Sequence, residues 1–156
     1  MHVAVIGPAD VVAGEEFDAA EEIGRLLAEA GAVVVCGGRG GVMEAVCRGA
    51  RSVGGVTVGI LPGRDRREAN AYVEVVVPTG LGEARNALVA RAGDVVVAVG
   101  GGYGTLSEIA FALKGGTPVV GLGTWELVRG GVPDTGIVQV SSAAEAARTA
   151  LELARK

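Results

Sequence analysis

The run Asp94-Val95-Val96-Val97-Ala98-Val99-Gly100-Gly101-Gly102-Tyr103-Gly104-Thr105-Leu106-Ser107-Glu108 constrains this chain more than any other stretch. An unbroken apolar run bounded by turn residues reads as a strand buried on both faces, so the fold must supply layers above and below it. Gly100, Gly101, Gly102 and Gly104 follow at once. A strand-to-helix turn needs only one or two glycines, and the surplus marks backbone that comes close to something. Leu106, Ile109 and Leu113 then continue at helical spacing, and Thr105 and Glu108 stand in the T-x-x-E relation of a capping box. Strand, glycine turn and helix in that order aim free amide N–H groups and the positive end of a helix dipole at one spot, whose usual occupant is a phosphate. The plain alternative is that Glu108 only caps its helix, since Ser142 and Glu145 spell the same box with no glycines before them.

The same order occurs earlier. Residues 32–36 are apolar, Gly37-Gly38-Arg39-Gly40-Gly41 follows, and Val42, Met43, Ala45, Val46 and Ala50 continue as a helix. Around these two turns the chain alternates. Residues 2–6 read as a strand ending in the turn Gly7-Pro8-Ala9-Asp10, and residues 15–30 as a helix with Phe17, Ala20, Ile23, Leu26, Leu27 and Ala30 on one face, closed by Gly31. Strands are expected at 56–61, at 73–77 before Pro78-Thr79-Gly80, at 118–122 and at 136–140, with a helix over 142–155. Residues 62–70 read as an exposed charged loop, and the stretch with Trp125 and Gly130-Gly131 as another loop.

In the helix expected over 81–92, Leu81, Ala84, Leu88 and Ala92 form an apolar stripe at 100° per residue, and Arg85 falls inside it. An inward guanidinium either snorkels or pairs with a buried carboxylate, or it meets an anion in a ligand crevice. Alternating strands and helices without repeat or linker imply an α/β fold: a single doubly wound, Rossmann-like domain over 1–156. Its mostly parallel sheet is expected to hold about seven strands with helices on both faces. Ligands in such sheets bind beyond the carboxyl ends of the strands, where the strand order reverses. The glycine turns lie at that end.

Composition narrows the chemistry. With 156 residues, 49% of them hydrophobic, the chain can bury a full core. A net charge of −4 argues against a general nucleic-acid binder. No run is long enough to span a membrane and Met1 leads directly into a strand, so a cytoplasmic protein is expected. Cys36 and Cys47 lack metal-type spacing and read as buried free thiols, and no metal site is expected. Counting G-x-G-x-x-G from Gly38 reaches Met43 and from Gly100 reaches Thr105, which disfavours a dinucleotide enzyme; no GxxxxGK[ST] occurs. His2 is the only histidine, and neither Lys114 nor Lys156 is placed for a Schiff base, so pyridoxal-phosphate decarboxylation has no support.

These residues resemble a known family. Gly101-Gly102-Tyr103-Gly104-Thr105-Leu106-Ser107-Glu108 looks like the PGGxGTxxE motif of the LONELY GUY (LOG) family, long mislabelled as lysine decarboxylases, whose studied members are nucleoside 5′-monophosphate phosphoribohydrolases. The segment 36–44 resembles the family's GGGxxGLM segment. The resemblance implies that Gly100, Gly101, Gly102, Tyr103, Gly104 and Thr105 hold the 5′-phosphate, and the turns expected at the same end of the sheet add Gly37, Gly38, Gly40, Gly41, Thr79, Gly80 and Asn86 to the phosphate or nucleotide site. It makes Arg85 and Glu108 the catalytic pair, hydrolysing the N-glycosidic bond of a nucleoside 5′-monophosphate to free base and ribose 5-phosphate with no cofactor required. Where the family has MHxRK, however, Glu83 holds the His position and Asn86 the Lys position, and Gly100 replaces the leading Pro. That wording is closer to proteins similar to molybdenum cofactor carrier protein, which implies the alternative of a non-catalytic carrier with molybdenum cofactor as bound ligand. Phe111, opposite Leu106, Ile109 and Leu113, suggests a second buried contact and a symmetric homodimer.

Overall fold

The structure, a computed structural model, describes residues 1–155. Seven parallel strands form one sheet: β1 (His2–Ile6), β2 (Val33–Cys36), β3 (Thr57–Leu61), β4 (Val75–Pro78), β5 (Val95–Val99), β6 (Val119–Leu122) and β9 (Ile137–Val140), in the order β4-β3-β2-β1-β5-β6-β9. Successive crossovers run one way from β1 to β4 and the other way from β5 to β9. The order therefore reverses between β1 and β5, where the carboxyl ends of two neighbouring strands diverge and leave a crevice.

The central strands show why the sequence reads as continuous valine. Val3 and Val5 of β1 and Val95, Val97 and Val99 of β5 face a layer made by α1 (Glu15–Glu29), α2 (Val42–Ser52) and α5 (Ala143–Leu153). Ala4, Ile6, Val96 and Ala98 face the opposite layer, α3 (Asn86–Ala92) and α4 (Tyr103–Gly115). Side chains alternate across a strand, and with both faces covered every position must be apolar. At about 1.5–3 kcal/mol for each fully buried large aliphatic side chain, this core makes the ends of β1 and β5 a firm base for the crevice. Helices α1 and α2 meet through two glycines: a Cβ on Gly24 would lie 2.0 Å from the Val46 carbonyl oxygen, and one on Gly49 would lie 1.8 Å from that of Glu21.

Three local expectations are corrected. The stretch after β4 is not one helix: Gly82–Arg85 is a 3-10 turn and α3 begins at Asn86. The tighter turn changes the angular phase, so the expected stripe of Leu81, Ala84, Leu88 and Ala92 faces outward, and Arg85, Val89 and Ala90 face inward. Second, Thr105 and Glu108 form no capping box. Helix α4 starts three residues earlier than that box requires, at Tyr103, with Gly102 as its N-cap and no side-chain cap, which leaves Thr105 and Glu108 buried on its inner face. At α5 the expected cap does form: Ser142 Oγ accepts from the Glu145 amide, while Glu145 accepts from the Ser141 amide. Third, the loop after Trp125 is a two-stranded antiparallel hairpin, β7 (Leu127–Arg129) and β8 (Val132–Asp134), turned by Gly130 and Gly131 at φ of 60° and 80°. The loop over 62–70 carries a short 3-10 turn, Arg66–Glu68, capped by Asp65. No helix among the described residues is long and apolar enough to cross a membrane. Lys156 lies outside the described residues, and Lys114 is exposed.

Candidate functional site

A pocket of about 510 Å³ opens at the crevice between β1 and β5. Four turns build it. The β1–α1 turn contributes Gly7 to Asp10, the β2–α2 turn Arg39 with Met43, the stretch after β4 Gly82, Glu83, Arg85 and Asn86, and the start of α4 Gly102, Gly104, Thr105 and Glu108.

Arg85 is 8% exposed, and its reach is set by packing. Its Nη1 donates to the Ile60 carbonyl at 3.2 Å, at the end of β3. The guanidinium lies across Gly37, where a Cβ would stand 1.9 Å from Nη1. A side chain there would push the guanidinium and the Met43 sulfur aside. The Arg85 Nε is buried with no hydrogen-bond partner. An unmade hydrogen bond at a charged, buried donor is costly, and one that persists in a folded protein calls for a functional explanation.

Glu108 faces the same pocket and is also 8% exposed. Burial pushes its carboxyl up to about 7, against the opposing pull of Arg85. Burial likewise lowers the pKa of Arg85, offset by the charge of Glu108 and reinforced by that of Arg39. Yet no ion pair among the described residues involves Arg39, Arg85 or Glu108. The two opposite charges sense one another across a gap instead of closing it. A buried acid poised near neutrality, with a cation nearby and room between them, is a common signature of a functional site.

The start of α4 supplies the third component. The first backbone bond of the helix runs from the Leu106 amide to the Gly102 carbonyl, and no side chain caps the end. The amides of Tyr103, Gly104 and Thr105 are thus the orphan donors that every helix start leaves. Asn86 steadies this turn: its Nδ2 donates to Ser107 Oγ at 3.1 Å, and Ser107 Oγ donates to the Gly104 carbonyl at 2.7 Å.

The other glycine turn is a wall. The Gly38 amide donates to Cys36 Sγ, Asn70 holds both the Gly38 and the Arg39 carbonyls, and the Val42 amide donates to Pro8. A Cβ on Gly41 would lie 2.2 Å from the Pro8 carbonyl oxygen. Cys36 and Cys47 are free and buried beneath this turn, their sulfurs 3.5 Å apart.

Of the residues singled out from sequence, Arg85, Asn86, Gly102, Gly104, Thr105 and Glu108 line the pocket together. Gly37, Gly38, Gly40 and Gly41 form the wall behind it. Thr79 and Gly80 lie outside the lining: Thr79 Oγ1 donates to the Leu61 carbonyl, and the Gly80 amide to that of Gly63. Gly100 packs against Glu16, Gly101 against Thr105, and the Tyr103 side chain is 82% exposed beside the Trp125 ring. The turns holding Pro8, Ala9, Asp10 and Arg39 are expected at this end of the sheet but with no role for those side chains, and Met43 and Pro62 are expected to have none. The signal for Arg39 was present, as the one charged residue inside a run of glycines. Among the described residues no cluster of three His, Cys, Asp or Glu side chains is placed to hold a metal ion.

A sequence model of the SLOG cluster4 family matches residues 1–150. The chain is 44% identical to a protein of Archaeoglobus fulgidus over 122 residues, 78% of this chain and 80% of that one. It is 37% identical to the probable cytokinin riboside 5′-monophosphate phosphoribohydrolase LOGL9 of Oryza sativa subsp. japonica over 95 residues, which cover 59% of this chain but only 42% of that protein. Among solved structures, the molybdenum cofactor binding protein from the phototrophic bacterium Rippkaea orientalis superposes with a TM-score of 0.87 at 32% identity, covering 97% and 96% of the two chains. The molybdenum cofactor carrier protein of Chlamydomonas reinhardtii gives 0.84 at 33% identity, covering 99% and 98%.

Proposed function

The chain belongs to the SLOG cluster4 family, and from that premise we propose that it binds a phosphate ester of a heterocyclic small molecule in the crevice between β1 and β5 and holds it as cargo. The observation that carries this reading is Arg85, a buried guanidinium with an unpartnered Nε beside an uncapped helix start. A phosphate on the amides of Tyr103, Gly104 and Thr105 gains the helix dipole and charge-assisted hydrogen bonds. These groups fit the phosphate of a phosphorylated pterin, so molybdenum cofactor is the cargo to test first. Two further observations support holding over turnover. Both full-length structural neighbours are named for binding or carrying that cofactor. At the positions where the phosphoribohydrolase motif has His and Lys, this chain has Glu83 and Asn86, and the Asn86 side chain is engaged with Ser107.

Glu108 favours a second reading, hydrolysis of the N-glycosidic bond of a nucleoside 5′-monophosphate. With phosphate anchored on α4, Glu108 orients a water and takes its proton, the water oxygen bonds to C1′, and the C1′–N bond breaks with its electron pair going to the base nitrogen, which is protonated as the free base leaves. Hydrolysis of this kind commonly uses two carboxylates, and Asp10 and Glu83 line the same pocket. Neither reading calls on a resident cofactor. Incubation with AMP separates them: the cargo reading expects saturable binding without free adenine. Release of adenine that disappears in Glu108→Gln moves the assignment to the hydrolase.

The outward face of Leu81 and Leu88, 53% and 42% exposed, together with Phe111 of α4, is assigned to a second copy of the chain. A dimer mass by light scattering, reduced to the monomer by Leu88→Glu, is expected; a monomeric wild type rejects it.

A further inference from the structure

Two guanidiniums face one pocket without a counter-ion. Arg39 reaches it from the β2–α2 turn and Arg85 from the 3-10 turn before α3. Neither is in an ion pair, although Asp10, Glu83 and Glu108 line the same space. Arg39 stands close enough for its charge to weigh against that of Arg85. Its backbone is not free to swing away, because Asn70 Nδ2 donates to the Arg39 carbonyl at 2.8 Å and the Asn70 amide to that of Gly38 at 2.9 Å. Like charges held together on a pocket wall cost free energy in the empty protein and reward an anion placed between them. Across the pocket the start of α4 presents its own donors through Gly102, Gly104 and Thr105. About 510 Å³ is more room than one phosphate fills.

Resting on the phosphate-ester reading above, we infer that the ligand carries two anionic groups, a phosphate on the α4 amides and a second oxyanion held between Arg39 and Arg85. Arg39 is then a specificity residue for doubly anionic ligands. It is exposed and outside the packed core, so it can be replaced without harming the fold.

Calorimetric titrations with AMP, ADP and adenosine 3′,5′-bisphosphate, on wild type and Arg39→Gln, test this. At least one of the two doubly phosphorylated probes should bind about tenfold or more tighter than AMP, the effect of one added charge-assisted contact. Arg39→Gln should erase that gain, so that the doubly phosphorylated probes bind the variant no tighter than AMP does. A gain with ADP places the second oxyanion next to the first; a gain confined to the bisphosphate places it beyond the sugar. Equal affinities for all three probes, or an Arg39→Gln variant that weakens AMP as much as the others, overturns the inference and leaves the phosphate-ester reading standing. If none of the probes binds, both fall.

Discussion

Two turns in this protein are built from the same letters and do opposite work. The β2–α2 turn, Gly37 to Gly41, and the β5–α4 turn, Gly100 to Gly104, each join a buried strand to a helix through four glycines. In the first, glycine makes room for protein: the guanidinium of Arg85 on Gly37, the backbone of Gly59 and the Leu61 side chain on Gly38, the Pro8–Ala9 backbone on Gly41. In the second, Gly100 and Gly101 are crowded by the Glu16 and Thr105 side chains, but Gly102 and Gly104 have nothing within 4 Å of where a Cβ would stand, and the helix start they frame is uncapped. Crowded glycines mark a wall, and open glycines next to orphan amides mark a place for a ligand.

That contrast can be broken by substitution. The largest effect is expected from Gly41→Ala, which combines a left-handed φ of 65° with a Cβ 2.2 Å from the Pro8 carbonyl oxygen. Strain and overpacking together should cost about 3–4 kcal/mol in urea denaturation. A loss below about 1 kcal/mol would mean that the wall yields, and the comparison fails.

Next in size is the acid enclosed between the two turns. The Glu108 carboxyl is raised from an ordinary 4.5 to about 7, so the folded state binds a proton that the unfolded state has released. Stability contributed by the protonated group is therefore present below about pH 4.5 and is lost as pH rises toward 7, by as much as about 3 kcal/mol. Glu108→Gln should flatten that part of the stability–pH curve. An unchanged slope in the variant would show that the pocket keeps Glu108 well solvated.

The open turn is probed more gently. Tyr103→Pro places proline at the first helical position, where it is favoured, after a Gly102 that is already extended. It removes one orphan amide and should weaken AMP binding about tenfold with little change in unfolding midpoint. Unaltered affinity would say that the anion sits elsewhere. The smallest effect belongs to Gly102→Ala, expected within about 0.5 kcal/mol of wild-type stability because φ is −102° and the space beside it is empty.

The sequence alone discloses the sheet because its strands are buried on both faces, a condition that leaves continuous apolar runs such as 95–99 and little else they could be. It also discloses that Arg85 points inward, though through a stripe that turns out to face solvent. Spacing arguments assume one helix type, and the four-residue 3-10 turn at Gly82–Arg85 adds roughly 80° of rotation, enough to take Arg85 out of the stripe. Thr105 and Glu108 match a capping pattern whose meaning depends on where the helix starts, and an earlier start puts both on the inner face. The wall and the open turn were indistinguishable as sequence, because packing against Pro8, Gly59 and Arg85 is a tertiary fact. Arg39 stands out as the one charge inside its run of glycines, but that it shares a pocket with Arg85, forty-six positions further along, is a tertiary fact.

Which amides meet the ligand is read most directly from a titration of isotopically labelled protein with AMP, followed residue by residue through the backbone amide resonances. Saturable shifts should be greatest at Tyr103, Gly104 and Thr105, with the Gly38 and Val42 amides, already bound to Cys36 and Pro8, moving least. Shifts centred on residues 37–42 with a silent start to α4, or no shifts at all, would contradict that placement.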